Sequence, residues 1–298
     1  MKSLSSYRPY TVLYIDAMNL LTRSFYGMST LEYKGHKTGM LYGVSRLVLD
    51  WRLRNPGIDI VMVWEGRDSW RRRKYPIYKA HRSGSHSDKD TKEFFNAIER
   101  VKYALPSMGV RQVWADTYEA DDTVAALAHF SHRRGDHSLF SSGDWDWWEL
   151  ADFGDILYQH RDVMSRNDLD AMFIRKFKAD PVPPSTLWMF KVLTGDSSDN
   201  VSGIPRFPKK LASRLCNIEH IGPGDFVHGL ITLGEESWAK RVADQYWIIE
   251  RNSELLCTSD VPLDDIEYVD ASYDSVAFGS ILLNSGMSSL YDKFSREL

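Results

Sequence analysis

The stretch Val12–Asp16, with the sequence VLYID, is an apolar run that ends on an acid. Residues 60–65 (IVMVWE) and 138–144 (SLFSSGD) repeat this arrangement. Short apolar runs bounded by polar residues are typical of strands that are buried on both faces. The three stretches therefore predict three buried strands, each delivering a carboxylate at or just after its end.

Helical spacing separates these runs. Apolar residues recur at intervals of three and four in residues 41–51, 94–105 and 124–128, and residues 109–114 and 156–159 are further strand candidates. Strands that alternate with helices predict an α/β fold with a parallel sheet, and functional sites in such folds form at the carboxyl ends of the strands. The predicted acids lie at those ends.

A proline cluster at residues 180–184 (DPVPP) marks the predicted domain boundary. Residues 1–180 are expected to form the α/β domain, and residues 181–298 a mostly helical C-terminal region. The helix candidates there are residues 185–193, 208–216 and 237–251.

The composition is that of a globular protein. The chain has 298 residues, 43% of them apolar, with 37 Lys and Arg against 41 Asp and Glu. These values exclude a disordered chain and a small scaffold that depends on disulfides. The two distant cysteines favour a reducing compartment. No run of 18 apolar residues and no signal-peptide pattern is found, so we expect a cytoplasmic protein without a membrane partner.

A basic segment, residues 67–82 (RDSWRRRKYPIYKAHR), interleaves seven Lys and Arg with three aromatic rings. Cations neutralise phosphates and rings stack on unpaired bases, so the segment suits a nucleic acid. A solvated charged surface is the alternative. The polar stretch 83–90 that follows is expected to be a mobile loop. The candidate contacts with DNA are Arg72, Lys74, Tyr75 and Tyr78.

Nine carboxylates stand out. Crowded acids repel one another unless cations neutralise them, and oxygen ligands without cysteine or a histidine pattern suit Mg²⁺ or Mn²⁺. Two such ions could activate water and stabilise the leaving oxygen of a phosphodiester. Taken singly, each acid could instead be a helix cap, a first-turn acid or a turn residue. The nine are Asp16, Glu65, Glu119, Asp121, Asp122, Asp144, Asp146, Asp196 and Asp199.

The order of these motifs resembles the five-prime nucleases of bacteria and bacteriophages, the flap endonuclease and 5′–3′ exonuclease family that is also fused to some DNA polymerases. The resemblance implies a PIN-like parallel-sheet core, followed by a helical region similar to a helix–hairpin–helix (H3TH) module. It rests on residues 14–19 (YIDAMN), 38–43 (TGMLYG), 75–82 (YPIYKAHR), 119–122 (EADD), 143–146 (GDWD) and 195–200 (GDSSDN).

The resemblance also implies roles. The tighter metal site would comprise Asp16, Glu119, Asp121 and Asp144, with Glu65 nearby. The second ion would be held or oriented by Asp122, Asp146, Asp196 and Asp199. Lys79 and Arg82 align with basic residues at the scissile phosphate and are expected to share a helix face. Tyr78 aligns with a stacking aromatic, and residues 67–95 with an arch or clamp.

Three departures from the family pattern matter. Glu65 replaces the aspartate expected before a glycine. Residues 203–212 (GIPRFPKKLA) are interpreted as a shortened hairpin without its Gly-x-Gly core, which leaves the family's potassium site in doubt. Arg206, Lys209 and Lys210 could compensate there. Tryptophans follow the acid at position 144; core packing is favoured for them, and base stacking is the alternative. They are Trp145, Trp147 and Trp148.

The expected function is a structure-specific, metal-dependent 5′ nuclease that cleaves DNA near junctions between single strand and duplex, in replication or repair. The expected substrate has a free 5′ end at a flap, nick or gap. The protein is expected to be a monomer in a bacterial cell or phage-infected host, without a sliding-clamp motif in residues 288–298. The alternatives are a PIN-like ribonuclease, an RNA-primer-removing nuclease, and a flap-DNA-binding protein without activity.

Overall fold

The structure, a computed structural model, describes residues 9–82 and 88–297. Most strands are short, and the longest have five residues. In chain order they are β1 (Val12–Asp16), β2 (Glu32–Tyr33), β3 (His36–Lys37), β4 (Asp59–Val63), β5 (Val110–Trp114), β6 (Ser138–Ser142), β7 (Gly154–Tyr158), β8 (Asp162–Met164), β9 (Gly195–Asp196), β10 (Val201–Ser202) and β11 (Glu267–Val269).

Helices connect the strands and make up most of the C-terminal part. They are α1 (Ala17–Gly27), α2 (Gly39–Arg54), α3 (Trp70–Lys74), α4 (Asp88–Ala104), α5 (Ala120–Arg134), α6 (Arg166–Phe177), α7 (Leu187–Thr194), α8 (Lys209–Cys216), α9 (Phe226–Thr232), α10 (Glu236–Asp244), α11 (Tyr246–Leu256), α12 (Ser275–Asn284) and α13 (Ser288–Glu297). Short 3₁₀ helices include Ala80–Arg82, Asp146–Asp152 and Pro184–Thr186.

Seven strands form the main sheet in the order β11-β5-β4-β1-β6-β7-β8. The five central strands are parallel, and β11 and β8 pair antiparallel at the two edges. In this register Ile15 lies between Met62 and Ser141, so β1, β4 and β6 end at the same level. The predicted parallel α/β core is confirmed, and the acids after these strands meet at one edge.

Apolar clusters cover both faces of the sheet. On one face, Phe140 of β6 belongs to a cluster that continues through Phe190 of α7 to Phe226 of α9. On the other, residues of α1, α2 and α4 pack together with Phe278 and Leu282 of α12. Both clusters include residues from each side of position 180, and the division into two domains there stays a prediction.

Two helix predictions differ from the structure. Residues 237–251 form not one helix but parts of two, α10 and α11, with Gln245 between them at φ −120° and ψ 24°. Lys79 was expected on a helix, but α3 ends at Lys74 and Lys79 has a left-handed backbone with φ 55°. The prediction that Lys79 and Arg82 share a helix face is therefore wrong.

Part of the predicted mobile loop lies outside the described residues. Residues 83–87 belong to that undescribed part, and residues 88–90 form the first turn of α4. Cys216 and Cys257 are both free thiols. No helix within the described ranges is long and apolar enough to cross a membrane.

Candidate metal centre

Asp16 ends β1 and caps the N-terminus of α1. Its Oδ1 accepts a hydrogen bond of 3.0 Å from the backbone N–H of Asn19, and its Oδ2 accepts one of 2.7 Å from the Ser142 hydroxyl. Burial raises the pKa of Asp16 to about 7; the two hydrogen bonds oppose the rise, and the charges of Asp144 and Glu65 add to it. The carboxylate is thus held at the sheet edge among like charges.

The turn after β6 brings Asp144 to the same edge. The Asp144 N–H donates to the Ser142 hydroxyl at 2.9 Å, and the Gly143 N–H donates to the Asn19 side chain at 3.0 Å. A Cβ atom at position 143 would lie 3.0 Å from the Asn19 oxygen, so glycine permits this close approach. The β6 turn and the first turn of α1 are therefore joined directly.

The N-terminus of α5 brings Asp121 to this edge and contacts Glu65, which follows β4. The Glu65 Oε2 accepts a hydrogen bond of 3.2 Å from the Ala120 N–H, as expected where unpaired amides and the helix dipole favour an anion. Asp121 accepts one of 2.7 Å from the indole of Trp147. Burial raises the pKa of Asp121 well above its usual value; Lys79 opposes the rise, and Asp144, Glu65 and Asp16 contribute to it.

The second group of acids combines Asp146, from the 3₁₀ helix after β6, with Asp196 and Asp199, which lie later in the chain. Ligand oxygens of Asp146, Asp196 and Asp199 lie within 4.8 Å of one another, close enough to share a cation. Asp196 belongs to the two-stranded sheet β9–β10, and Asp199 lies in the turn between its strands. These three residues belong to the set that was expected at the second ion.

The fourth member of that set, Asp122, is engaged elsewhere. It is fully buried, and its Oδ1 accepts hydrogen bonds from the Arg71 guanidinium at 2.8 Å and from the Ser259 N–H at 2.6 Å. Its Oδ2 accepts from Arg71 and, in a capping box, from the Glu119 N–H. Both oxygens are occupied by the protein itself. This corrects the ligand role expected for Asp122, whose carboxylate instead ties α3 to α5 and to the chain around Ser259.

Glu119 is surrounded by cations and hydroxyls. The ammonium of Lys79 lies 3.0 Å from its Oε2, and Arg71 lies 3.8 Å away. Burial would raise the pKa of Glu119, but Lys79 and Arg71 outweigh burial and lower it. Glu119, expected as a ligand in the tighter metal site, is therefore held ionised by Lys79 and Arg71, so we leave it out of the ligand set proposed below, and its ligand role stays a prediction.

Tyr78 is buried, with only 5% of its surface exposed. Its hydroxyl lies 2.9 Å from Oε2 of Glu119 and 3.1 Å from Oδ2 of Asp199. A ring enclosed in this way has no free face for a base, which corrects the stacking role expected for Tyr78.

Lys79 is buried beside Tyr78 and forms ion pairs with Glu119 and, at 3.7 Å, with Asp199. Its backbone N–H donates to the Asp199 carbonyl at 3.0 Å, which fixes the segment against the second acidic group. The backbone of Arg82 ends the short 3₁₀ helix, and its side chain lies outside the described part of the structure.

Lys191 is a residue that sequence reasoning missed. It is buried on α7, donates to Asp146 and lies 2.9 Å from Oδ2 of Asp196. The signal was present, because Lys191 is the only charged residue in the apolar helix LWMFKVLT. Glu149 was also missed; burial and the neighbouring charge of Asp121 raise its pKa well above the usual value.

The predicted DNA contacts differ in their surroundings. Arg72 is exposed, whereas Lys74 and Tyr75 both bond to Glu254 of α11. Arg206 is exposed and has a left-handed φ of 61° in the loop before α8. At the start of α8, Lys209 and Lys210 are exposed. Their contacts with DNA stay predictions.

The tryptophans after Asp144 pack as predicted. Trp147 and Trp148 are buried in the core, with 1% and 5% of their surfaces exposed. Trp145 is partly buried and stacks on Trp148, with 3.7 Å between ring centres.

Sequence comparison assigns the family. A model of the family described as "5′–3′ exonuclease, N-terminal resolvase-like domain" matches residues 11–177. The chain belongs to this family. Among 5′–3′ exonuclease relatives, it is 27% identical over 293 residues to the thermostable DNA polymerase I of Thermus filiformis, covering 94% of this chain and 34% of that protein. With DNA polymerase I of Mycobacterium tuberculosis, the identity is 28% over 211 residues, 68% of this chain and 22% of the relative. The chain thus spans between about a fifth and about a third of the length of these relatives.

Solved structures share the fold of this chain. The T5 5′-exonuclease with bound zinc ions superposes with a TM-score of 0.62 at 18% identity, covering 96% of this chain and 97% of that one. Human GEN1 in complex with Holliday junction DNA superposes with a TM-score of 0.59 at 14% identity, covering 97% and 71%. The predicted PIN-like fold with a helical C-terminal region is confirmed.

Proposed function

We propose that this chain is a metal-dependent 5′ nuclease that hydrolyses phosphodiesters of DNA near junctions between single strand and duplex. The observation that carries the proposal is the meeting of Asp16, Glu65, Asp121 and Asp144 at one sheet edge. Burial, with a smaller contribution from the neighbouring carboxylates, raises the pKa of both Asp16 and Asp121, and Lys79 only partly offsets the rise at Asp121, so the negative charge of this group is incompletely neutralised. A structural ion-pair network would not leave such a deficit.

The donor chemistry fits a hard divalent cation. Every acid at the edge offers oxygen, and no thiol or imidazole is among them, which favours Mg²⁺ or Mn²⁺. Asp16, Asp121 and Asp144 would hold one ion with Glu65 beside them, and Asp146, Asp196 and Asp199 a second. Bound there, the ions would activate water and stabilise the leaving oxygen.

The protein's own cations already compensate the second group of acids. Lys79 pairs with Asp199, and Lys191 with Asp146 and Asp196. Their ammonium groups lie beside the carboxylates that the scissile phosphate would approach. We assign to Lys79, together with Arg82, the stabilisation of charge that develops on that phosphate.

The substrate class follows from the family and its relatives. The solved T5 flap endonuclease and GEN1 structures contain DNA, the latter a Holliday junction. For this chain we propose a branched or nicked DNA with a free 5′ end, with residues 67–95 as the clamp on the 5′ strand and α8 as a duplex contact. The first half of that clamp contacts the C-terminal region through two hydrogen bonds. The Trp70 indole donates to the Ser259 hydroxyl, and the Lys74 ammonium donates to Glu254.

The test uses purified protein with 5′-flap, nicked and single-stranded DNA in Mg²⁺, beside EDTA and the variant Asp144→Asn. Asp152→Asn is the matched variant, because Asp152 ends the 3₁₀ helix after Asp144 and is exposed. Junction cleavage that is lost in EDTA and in Asp144→Asn, and kept in Asp152→Asn, is expected. Flap binding without cleavage in Mg²⁺ or Mn²⁺ would overturn the catalytic assignment. Flaps with an RNA 5′ strand, assayed in parallel, separate the ribonuclease alternative.

A further inference from the structure

Lys176, near the end of α6, lies on an aromatic platform beside the acidic edge. Its ammonium is 4.1 Å from the centre of the Trp145 ring and 5.2 Å from that of Phe177. Trp148 covers one face of Trp145 at 3.7 Å, so Lys176 occupies the other face. The lysine is thereby fixed in position by rings and not by a carboxylate.

The charges around Lys176 place it next to the proposed metal ligands. Partial burial of its ammonium lowers the pKa of Lys176, the carboxylates of Asp196 and Asp144 oppose that effect, and Lys209 adds to it. The platform ring, Trp145, directly follows Asp144 in the chain. The ammonium therefore lies near the edge where the scissile phosphate is proposed to lie.

Lys176 differs from the buried cations of the site in its pairing. Arg71, Lys79 and Lys191 each lie within 4.0 Å of a carboxylate oxygen. Among the ion pairs of the described residues, Lys176 has none, and its side chain is exposed. A cation that rests on a ring keeps its N–H donors free for an external anion.

We propose that Lys176, positioned by Trp145, binds a phosphodiester group of the DNA strand beside the Asp144 side of the acidic edge. This inference rests on the proposed nuclease function and adds to it a phosphate contact at the end of α6. The competing explanation is that Lys176 only balances the charges of Asp144 and Asp196. In that case it would act on metal affinity and not on DNA.

The experiment measures the affinity of the full chain for a 5′-flap DNA in Ca²⁺, without cleavage, over a series of salt concentrations. Lys176→Gln is expected to raise the Kd by roughly 5- to 10-fold and to reduce the salt slope by about 1, as for one lost phosphate contact. Lys176→Arg keeps the charge and should keep the slope. Trp145→Leu keeps the lysine but removes its platform, so it should raise the Kd while the slope stays.

The matched variant is Arg175→Gln, which removes one charge from the same last helical turn. Arg175 is next to Lys176 in the chain, and adjacent residues do not lie on the same helix face. It should leave Kd and slope unchanged. An unaltered Kd and slope in Lys176→Gln, or an equal loss in Arg175→Gln, would overturn the proposal. A changed Mn²⁺ affinity in Lys176→Gln, with DNA binding intact, would support charge balance instead. Absent cleavage by the wild type in Mg²⁺ would refute the nuclease function alone, because the binding measurement does not depend on it.

Discussion

The indole N–H of Trp147 donates a hydrogen bond of 2.7 Å to Oδ1 of Asp121. This contact joins the 3₁₀ helix after β6 to the first turn of α5, two of the segments that supply carboxylates to the site. Trp147 is buried in the core and Asp121 is partly buried, so the bond orients a proposed metal ligand from the core side of the acidic edge.

Trp147→Phe should loosen Asp121 and weaken metal binding. The ring is largely kept and the donor is lost, so we expect a loss of about 1 to 3 kcal/mol in the free energy of unfolding and a lower Mn²⁺ affinity. Trp148→Phe is the matched change, because its indole nitrogen has no hydrogen-bond partner among the described residues. Denaturant unfolding and Mn²⁺ titration measure both effects. Equal metal affinities in the two variants would contradict the role of the Trp147 bond.

Metal affinity should rise with pH around neutrality. Burial raises the pKa of Asp16 to about 7 in the metal-free protein, so protons compete with the cation below that pH. Mn²⁺ titrations between pH 6 and 8 should show tighter binding at the higher pH. A flat profile over this range would contradict the raised pKa of Asp16.

The stability of the metal-free protein, in contrast to its metal affinity, should fall as the pH rises. The folded pKa of Asp16 lies above the unfolded value of about 3.9, so the folded state binds the proton more tightly and loses stability as pH rises from about 4 to 7. Asp16→Asn removes this loss and should raise the Tm in EDTA at pH 8. Melting curves at pH 5 and pH 8 provide the measurement, with Asp152→Asn as the unaffected comparison. A Tm of Asp16→Asn below that of the wild type in EDTA at pH 8 would contradict this prediction.

Lys191→Met should destabilise the metal-free protein. The change leaves Asp146 and Asp196 close together without their buried cation, which we expect to cost about 3 kcal/mol. Mg²⁺ should then restore more of the Tm than in the wild type, because the ion replaces the missing charge. Lys240→Met, on the exposed face of α10, is the comparison variant. Identical gains in Tm with Mg²⁺ for the two variants would refute this prediction.

Asp122→Asn should reduce stability without changing the number of ions bound. The two oxygens of the Asp122 carboxylate accept hydrogen bonds from two nitrogens of Arg71, and Oδ1 also accepts from the Ser259 N–H. An amide has only one acceptor oxygen and cannot replace both. We expect a loss of about 3 kcal/mol, measured by denaturant unfolding. Mn²⁺ stoichiometry should match the wild type, in contrast to Asp144→Asn. A lost ion in Asp122→Asn would restore the ligand role first expected for it.

The sequence predicted the sheet because its signals are local. An apolar run such as Val12–Asp16 carries its own burial pattern, and a parallel sheet brings the ends of such runs to one edge. The meeting of Asp16 with Asp144 follows from those two facts alone. The core positions of Trp147 and Trp148 were predictable because large aromatic side chains bury much apolar area.

The internal neutralisation of the acids could not be predicted in this way. Arg71 and Asp122 are 51 positions apart, and Lys79 and Asp199 are 120 apart, so no sequence window contains both partners. The sequence pattern of a basic segment with interleaved aromatic residues does not distinguish side chains that face solvent from side chains that are buried. The helix α3 ends at Lys74, and the left-handed backbone of Lys79 is not a conformation that the sequence pattern predicts for a lysine.

The pairing of β11 with β5 also bears on how the chain is made. Residues 267–269 close one edge of the sheet, although β5 is synthesised about 150 residues earlier. Until the ribosome has released that last strand, the nascent chain carries an open strand edge beside Val113, which other chains can join. During biosynthesis this sheet edge is therefore open to aggregation. That interval ends when residues 267–269 have been synthesised and pair with β5.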